Sequence, residues 1–267
     1  MQLEQAIRSL AEYHNSGSGA QNNNTGSGNQ TNINNSNFNE QNITIFQRSD
    51  RNFVINLQVN NPRDEKRHIE RSRTAVQQEY HRMVFKNDTF RQWRNQEARS
   101  VLWVKGGAGK GKTMFMCDVI DELESSGAQP FYFFCHATDP RLSTATAVLR
   151  GLLYMILCQS PHLATSLREK HVGRWQPGRE LFRFEDANCW DSLCKMILDA
   201  LGDRSLPNAV LIIDAIDECV FGFDLLMEFI ARLSSACYRI VVSSGKWPIT
   251  QSTTEASKNP ICLVLNE

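Results

Sequence analysis

The sequence predicts an α/β fold of three layers, with a five-stranded, mainly parallel sheet behind a polar tail that has no fold of its own. Three observations carry this. Val101-Leu-Trp-Val104 runs into the glycine-rich turn Lys105-Gly-Gly-Ala-Gly-Lys-Gly-Lys-Thr113, and a helix-compatible segment, Met114 to Glu124, follows. Continuous apolar runs alternate with amphipathic segments over the rest of the chain, as in parallel sheets covered on both faces. One of those runs, Ala209 to Ile213, ends in Asp214 and is followed by Asp217 and Glu218.

The glycine-rich turn matches G-x-x-x-x-G-K-S/T, with Gly106, Gly111, Lys112 and Thr113 at the fixed positions. Strand, loop and helix occur in the order that a phosphate-binding loop requires. Gly106, Gly107, Gly109 and Gly111 let the backbone bend so that successive N–H groups converge on an anion. The next helix adds free N–H donors at its first turn. The candidate nucleotide contacts are therefore Gly106, Gly107, Ala108, Gly109, Lys110, Gly111, Lys112, Thr113 and Met114. Lys112 is expected to reach the β- and γ-phosphates and the Thr113 hydroxyl to hold Mg²⁺.

Upstream, Met1–His14 has helical spacing of Leu3, Ala6, Ile7 and Leu10, and reads as a short amphipathic helix or a frayed tail. Residues 15–60 are expected to be disordered, with an Asn/Gly/Ser-rich composition over 15–42 that cannot bury enough apolar area to fold alone. Gly17-Ser-Gly-Ala-Gln21 is echoed by Gly26-Ser-Gly-Asn-Gln30, and such segments serve either as linkers or as stacking cross-β units. Ile43–Phe46 and Phe53–Val59 read as short β-type runs. Residues 61–98 form a helical lead-in. Asn61-Pro62, with Asp64 and Glu65 in the first turn, marks a helix start. That helix is expected to run to about Phe85 with its charges on a solvated face, and a shorter helix is expected within Lys86–Gln96.

Residues 99–267 carry the sheet. The expected strands are Val101–Val104, Pro130–Cys135, Ala209–Ile213, Arg239–Ser243 and Ile261–Leu265. The expected helices are Met114–Glu124, Leu142–Gln159, His162–His171, Cys189–Leu201 and Phe223–Leu233, with a Gly/Pro/Arg-rich break at Gly173–Arg183. Asp214, at the C-terminal end of a buried strand, is placed to hold the metal. Asp217 and Glu218 are candidates to orient or deprotonate a water, with Glu218 preferred by position.

Composition narrows the classes further. Apolar residues make up 41% of 267, enough for a core, while the mean hydropathy of −0.39 reflects the polar tail. Lys+Arg and Asp+Glu both number 29, which argues against a nucleic-acid partner. The eight cysteines show no C-x-x-C and no zinc-ligand spacing, and read as reduced, mostly buried thiols. With no secretory signal and no apolar run of spanning length, no membrane span and a cytoplasmic location are expected.

Several stretches resemble the fungal NACHT domain, the nephrocystin-like N-terminal module of heterokaryon-incompatibility and NACHT/WD-repeat proteins. They are Trp103–Met114, Phe133–Asp139, Arg141–Tyr154, Phe184–Asn188 and Leu211–Cys219. The resemblance runs from about Pro62 to the C-terminus. It implies a STAND-class NTPase that switches between a closed, diphosphate-bound form and an open form that homo-oligomerises through this domain; the leading expectation is a signalling switch that binds Mg²⁺ with ATP or GTP, hydrolyses slowly and acts in fungal incompatibility or programmed cell death. It also implies that the tail, whose repeats over Gly17–Asn35 look like an amyloid-signalling motif, can recruit an amyloid partner.

Two departures stand out. Strand four continues Val242-Ser-Ser-Gly-Lys-Trp-Pro248, where the family shows Ser-Ser-Arg-x-Trp-Pro; Gly245 takes the place of a γ-phosphate-sensing Arg and Lys246 is the nearest substitute. The sequence also ends at Glu267, where the family continues into helical regions and repeats, so a fragment and a short form are both open. Two other functions compete. One is a hydrolysis-deficient adaptor signalling by N-terminal templating. The other is a P-loop kinase with Arg174, Arg179 and Arg183 as lid residues. The guanine-reading N-K-x-D is absent, which favours ATP over GTP.

Overall fold

The computed structural model describes residue 46, residues 48–57, 59–73, 84–95, 101–172, 189–245 and 260–265. All of these fall in the compact unit Asn39–Glu267. The N-terminal segment to residue 45, with its repeats, lies outside the described residues, as do the Gly173–Arg183 break with Arg174, Arg179 and Arg183, the Phe184–Asn188 stretch, and Lys246.

Five strands form one sheet: β1 (Val101–Lys105), β2 (Gln129–Phe134), β3 (Ala209–Asp214), β4 (Arg239–Ser244) and β5 (Ile261–Val264). Their order is β2-β3-β4-β1-β5 and every pairing is parallel. β1 to β4 are buried along almost their whole length, which is why each reads as a continuous apolar run rather than an alternating one. The order places β4 between the two strands that carry the recognisable motifs. The chain leaves β1 towards β2 and leaves β4 towards β5, so neighbouring strands β1 and β4 send their connections in opposite directions. A crevice opens above their C-terminal ends at such a switch point.

The helices are α1 (Arg48–Leu57), α2 (Pro62–Glu70), α3 (Asp88–Asn95), α4 (Lys112–Ser125), α5 (Ala145–Gln159), α6 (Leu163–His171), α7 (Trp190–Leu201) and α8 (Phe223–Ser235). Helix α4 packs on β2, β3 and β4, while α5 lies on β2 and contacts α1, α7 and α8. Among the described residues no helix is long and apolar enough to cross a membrane. Of the eight cysteines, five are buried, Cys158 is half-buried, Cys237 and Cys262 are exposed, and all are free thiols.

Two expectations for the segments that precede β1 are overturned. Phe53–Val59 is not a β-type run: Phe53 to Leu57 close α1, with Phe53, Val54 and Leu57 in the core. Residues 48–57 of the segment expected to be disordered are thus helical. A short apolar run fits either period, and here burial against α5 and α6 decides. A buried pair fixes the placement, in which Asp50 accepts from Arg168 Nε at 2.7 Å and from Thr165 Oγ1 at 2.6 Å.

The second correction concerns α2. Its start is as expected, with Asn61 accepting from the Arg63 N–H and Pro62 in the first turn. It stops at Glu70 instead of continuing to Phe85. Arg71 and Ser72 N–H groups bond back three residues, to His68 and Ile69 carbonyls, and the Ser72 hydroxyl also donates to the Ile69 carbonyl. Nor is α2 a purely solvated charged face, because Lys66 is buried against α4.

Candidate functional site

A cleft of about 560 Å³ opens at the C-terminal edge of the sheet. Six of the nine proposed loop residues line it: Ala108, Gly109, Gly111, Lys112, Thr113 and Met114. The turn is built by Gly109 (φ 75°) and Gly111 (φ 73°), both in the left-handed region where a side chain is penalised. Gly111 caps α4, and the Phe115 N–H closes the first helical bond onto its carbonyl at 2.8 Å. Gly106 packs beneath Leu265, and with Gly107 it offers its carbonyl to Lys112 Nζ at 2.9 Å in each case. Lys112 is thereby folded over the loop from inside the cleft. Gly106, Gly107 and Lys110 do not themselves line it.

The acid-tipped strand arrives from the other side of β4. Asp214 is only 2% exposed. Its Oδ1 accepts from the Ser243 hydroxyl, and the Thr113 hydroxyl also donates to the carboxylate. Burial raises the carboxyl above its ordinary range, against the opposing pull of Ser243, Thr113 and Lys112, while Glu218 pushes the same way as burial. A buried carboxylate beside a threonine hydroxyl is a hard-oxygen donor pair that suits Mg²⁺, and a cation here would offset the cost of burying the charge. Both proposed metal ligands, Thr113 and Asp214, are thus brought together, and their oxygen donors suit that ion.

Asp217 and Glu218 sit in a 3₁₀ turn, Ile216–Glu218, and both line the cleft. Each is already engaged by a backbone N–H. Asp217 Oδ2 accepts from Gly245 at 3.0 Å, and Glu218 Oε2 accepts from Ala137 at 3.0 Å. Lys246, the third proposed catalytic residue, lies outside the described residues.

Sequence reasoning missed what β4 contributes. Ser243 is fully buried and bridges two groups, donating to Asp214 and accepting from the Ala215 N–H at 2.8 Å. Ala215 is left-handed (φ 51°), a conformation that costs alanine about 1–2 kcal/mol and is held by this bond. Ser244 accepts from Trp103 Nε1 at 2.8 Å, tying β4 to β1. The register of β3 on β4 sets Ser243 beside Asp214, which no linear spacing reveals. Ser243→Ala strands a buried carboxylate oxygen and a buried N–H. The expected loss in urea unfolding is about 1–3 kcal/mol, with weaker Mg²⁺ dependence of nucleotide binding.

The sequence profile of the nephrocystin 3 N-terminal family matches residues 80–244, more than half of the chain and all of the loop, the acidic turn and the end of β4. The chain belongs to the nephrocystin 3 N-terminal family. Within this P-loop nucleotide-binding class it is similar to the vegetative incompatibility protein HET-E-1 of Podospora anserina, 37% identical over 219 residues. That match covers 80% of this chain but only 16% of the relative's length. Solved structures with some likeness include an Aeropyrum pernix ORC1 protein in complex with DNA (TM-score 0.40, 16% identity, 72% of this chain and 45% of that one). Another is AMPPCP-bound DnaA from Aquifex aeolicus (TM-score 0.34, 13% identity, 70% and 47%). Neither likeness bears on function.

Gly245 directly follows β4 and lines the cleft. A Cβ built there would lie 2.8 Å from Asp217 Oδ2, so any side chain must displace the carboxylate that the Gly245 N–H holds. Gly245→Arg is therefore expected to lower turnover at least about threefold with nucleotide affinity retained. Steady-state kinetics alongside equilibrium titration check this, and a faster enzyme would show that the guanidinium outweighs the Asp217 contact.

Proposed function

We propose that this chain is a Mg²⁺–nucleoside-triphosphate-dependent signalling switch with slow hydrolysis, acting in incompatibility or programmed cell death of the HET-E-1 kind. The carrying observation is that Asp214, buried at the end of β3, lies against Thr113 and within the field of Lys112, both of which line the cleft with Asp217 and Glu218. Loop amides and Lys112 would hold the phosphates. Thr113 and Asp214 would hold Mg²⁺, which supplies charge neutralisation on the β- and γ-oxygens when bound. Asp217 and Glu218, fixed by Gly245 and Ala137, would set the edge of the pocket where a water is oriented. ATP is preferred over GTP, and assembly of copies through this domain follows the family reading. Turnover of both nucleotides by the full chain, measured with and without Mg²⁺, tests this.

A second reading is a nucleotide-binding adaptor that signals through templating by its N-terminal repeats. One observation favours it: a backbone N–H takes one oxygen of each acid of the turn, Asp217 Oδ2 and Glu218 Oε2, which leaves each carboxylate only its other oxygen to act as a general base. Turnover indistinguishable from buffer, together with seeded fibrils of the full chain, is the outcome it requires.

A further inference from the structure

Ile69 and Ser72, at the end of α2 and in the turn after it, line the cleft next to Met114 and Thr113. Both precede the matched family residues 80–244. They are held there by two cations. Lys66 Nζ lies 2.6 Å from Asp121 Oδ1 and 2.5 Å from Glu70 Oε1. Arg73 Nη2 lies 2.6 Å from Asp118 Oδ1 and 3.2 Å from Glu70 Oε1. Asp118 and Asp121 follow Met114 by four and seven residues, so all three share one face of α4. The same helix that starts at the phosphate loop therefore carries the anchor points for α2. The side chains of Lys66, Arg73 and Asp118 are 11%, 18% and 11% exposed. Asp121 is 45% exposed, so Arg73–Asp118 is the buried pair; such a pair adds little net stability but penalises other arrangements, because breaking it leaves a buried charge unpaired.

The chemistry of this wall selects the part of the ligand it meets. Phosphates call for N–H groups and a cation, which the loop and Lys112 already supply. An aliphatic side chain, a thioether and a hydroxyl instead match a nucleoside, with Ile69 and Met114 against the base and the Ser72 oxygen, whose proton goes to the Ile69 carbonyl, left to accept from a ribose hydroxyl. We infer that α2 and its following turn form the nucleoside-binding wall of the cleft, with Lys66 and Arg73 as positioning residues that fix the wall on the phosphate-loop helix. This rests on the nucleotide-binding reading above.

The test titrates the full chain with two probes, Mg²⁺·ATP and Mg²⁺·tripolyphosphate, the second lacking the nucleoside. Ile69→Ala is expected to weaken ATP binding about fivefold to tenfold and to leave tripolyphosphate within about twofold. Arg73→Gln should show the same selective loss, and Arg73→Lys, which keeps a charge for Asp118, should recover most of it. Should Ile69→Ala not fold, Ser72→Ala and Ile69→Val carry the same comparison. Equal weakening of both probes, or a lower melting temperature with ATP affinity unchanged, overturns the inference. Failure of the unaltered chain to bind either probe is a different result, which removes the nucleotide reading itself.

Discussion

Lys112→Ala is expected to reduce affinity for the Mg²⁺ complex of ATP about 100-fold or more, with the melting temperature measured without nucleotide changed by no more than a few degrees. The asymmetry follows from what Lys112 touches. Within the chain it donates to two loop carbonyls, Gly106 and Gly107, in a partly exposed setting. Such bonds contribute about 0.5–1.5 kcal/mol each, and water can replace the donor. Against a polyphosphate, the same ammonium compensates a charge that the loop amides only partly balance. Truncating one partner of such a pair costs about 2–5 kcal/mol. Calorimetry and thermal denaturation on the same preparation separate the two effects. A variant that loses stability in step with affinity would assign Lys112 to the architecture of the loop instead.

Asp214→Asn carries the second large effect, and here function and stability should move apart. Asparagine keeps the shape, its one oxygen can still accept from Ser243, and the rotatable Thr113 hydroxyl can turn to accept from the new NH2, so the cradle survives. It removes a carboxylate that burial destabilises as an anion. Without nucleotide the variant is expected to melt at the same temperature as the parent or higher. With nucleotide it should lose the Mg²⁺ dependence of binding, and turnover should fall about 100-fold or more. The pairing of these outcomes is diagnostic: a structural carboxylate would lower stability when neutralised, whereas a metal-binding one is a stability cost retained for its charge. Measuring melting temperature and Mg²⁺-dependent ATP binding for parent and variant checks both halves.

Much of this was legible in the sequence because parallel strands buried on both faces leave continuous runs. Pro130–Cys135 was expected and Gln129–Phe134 is found; the other four strands are likewise displaced by a residue or less at their ends. The phosphate loop was legible because its glycines answer a backbone requirement local to a few residues. What escaped depends on contacts between distant segments. Strand order is not written in any single strand, so the role of β4, with Ser243 beneath Asp214 and the Gly245 N–H on Asp217, could not be read from spacing. Phe53–Leu57 fits two periods, and its burial against α5 and α6 selects the helical one. The alternating charges of α2 read as a solvated face until Lys66 and Arg73 meet Asp121 and Asp118 on a helix about fifty residues downstream.

The most direct measurement is a calorimetric titration of the full chain with ATP and with ADP, each in the presence of Mg²⁺ and again with the metal chelated. Saturable binding of one nucleotide per chain, substantially weakened when Mg²⁺ is withdrawn and abolished by Lys112→Ala, is the predicted result. A folded chain that takes up neither nucleotide, or binds equally well with the metal removed and Lys112 truncated, would contradict it.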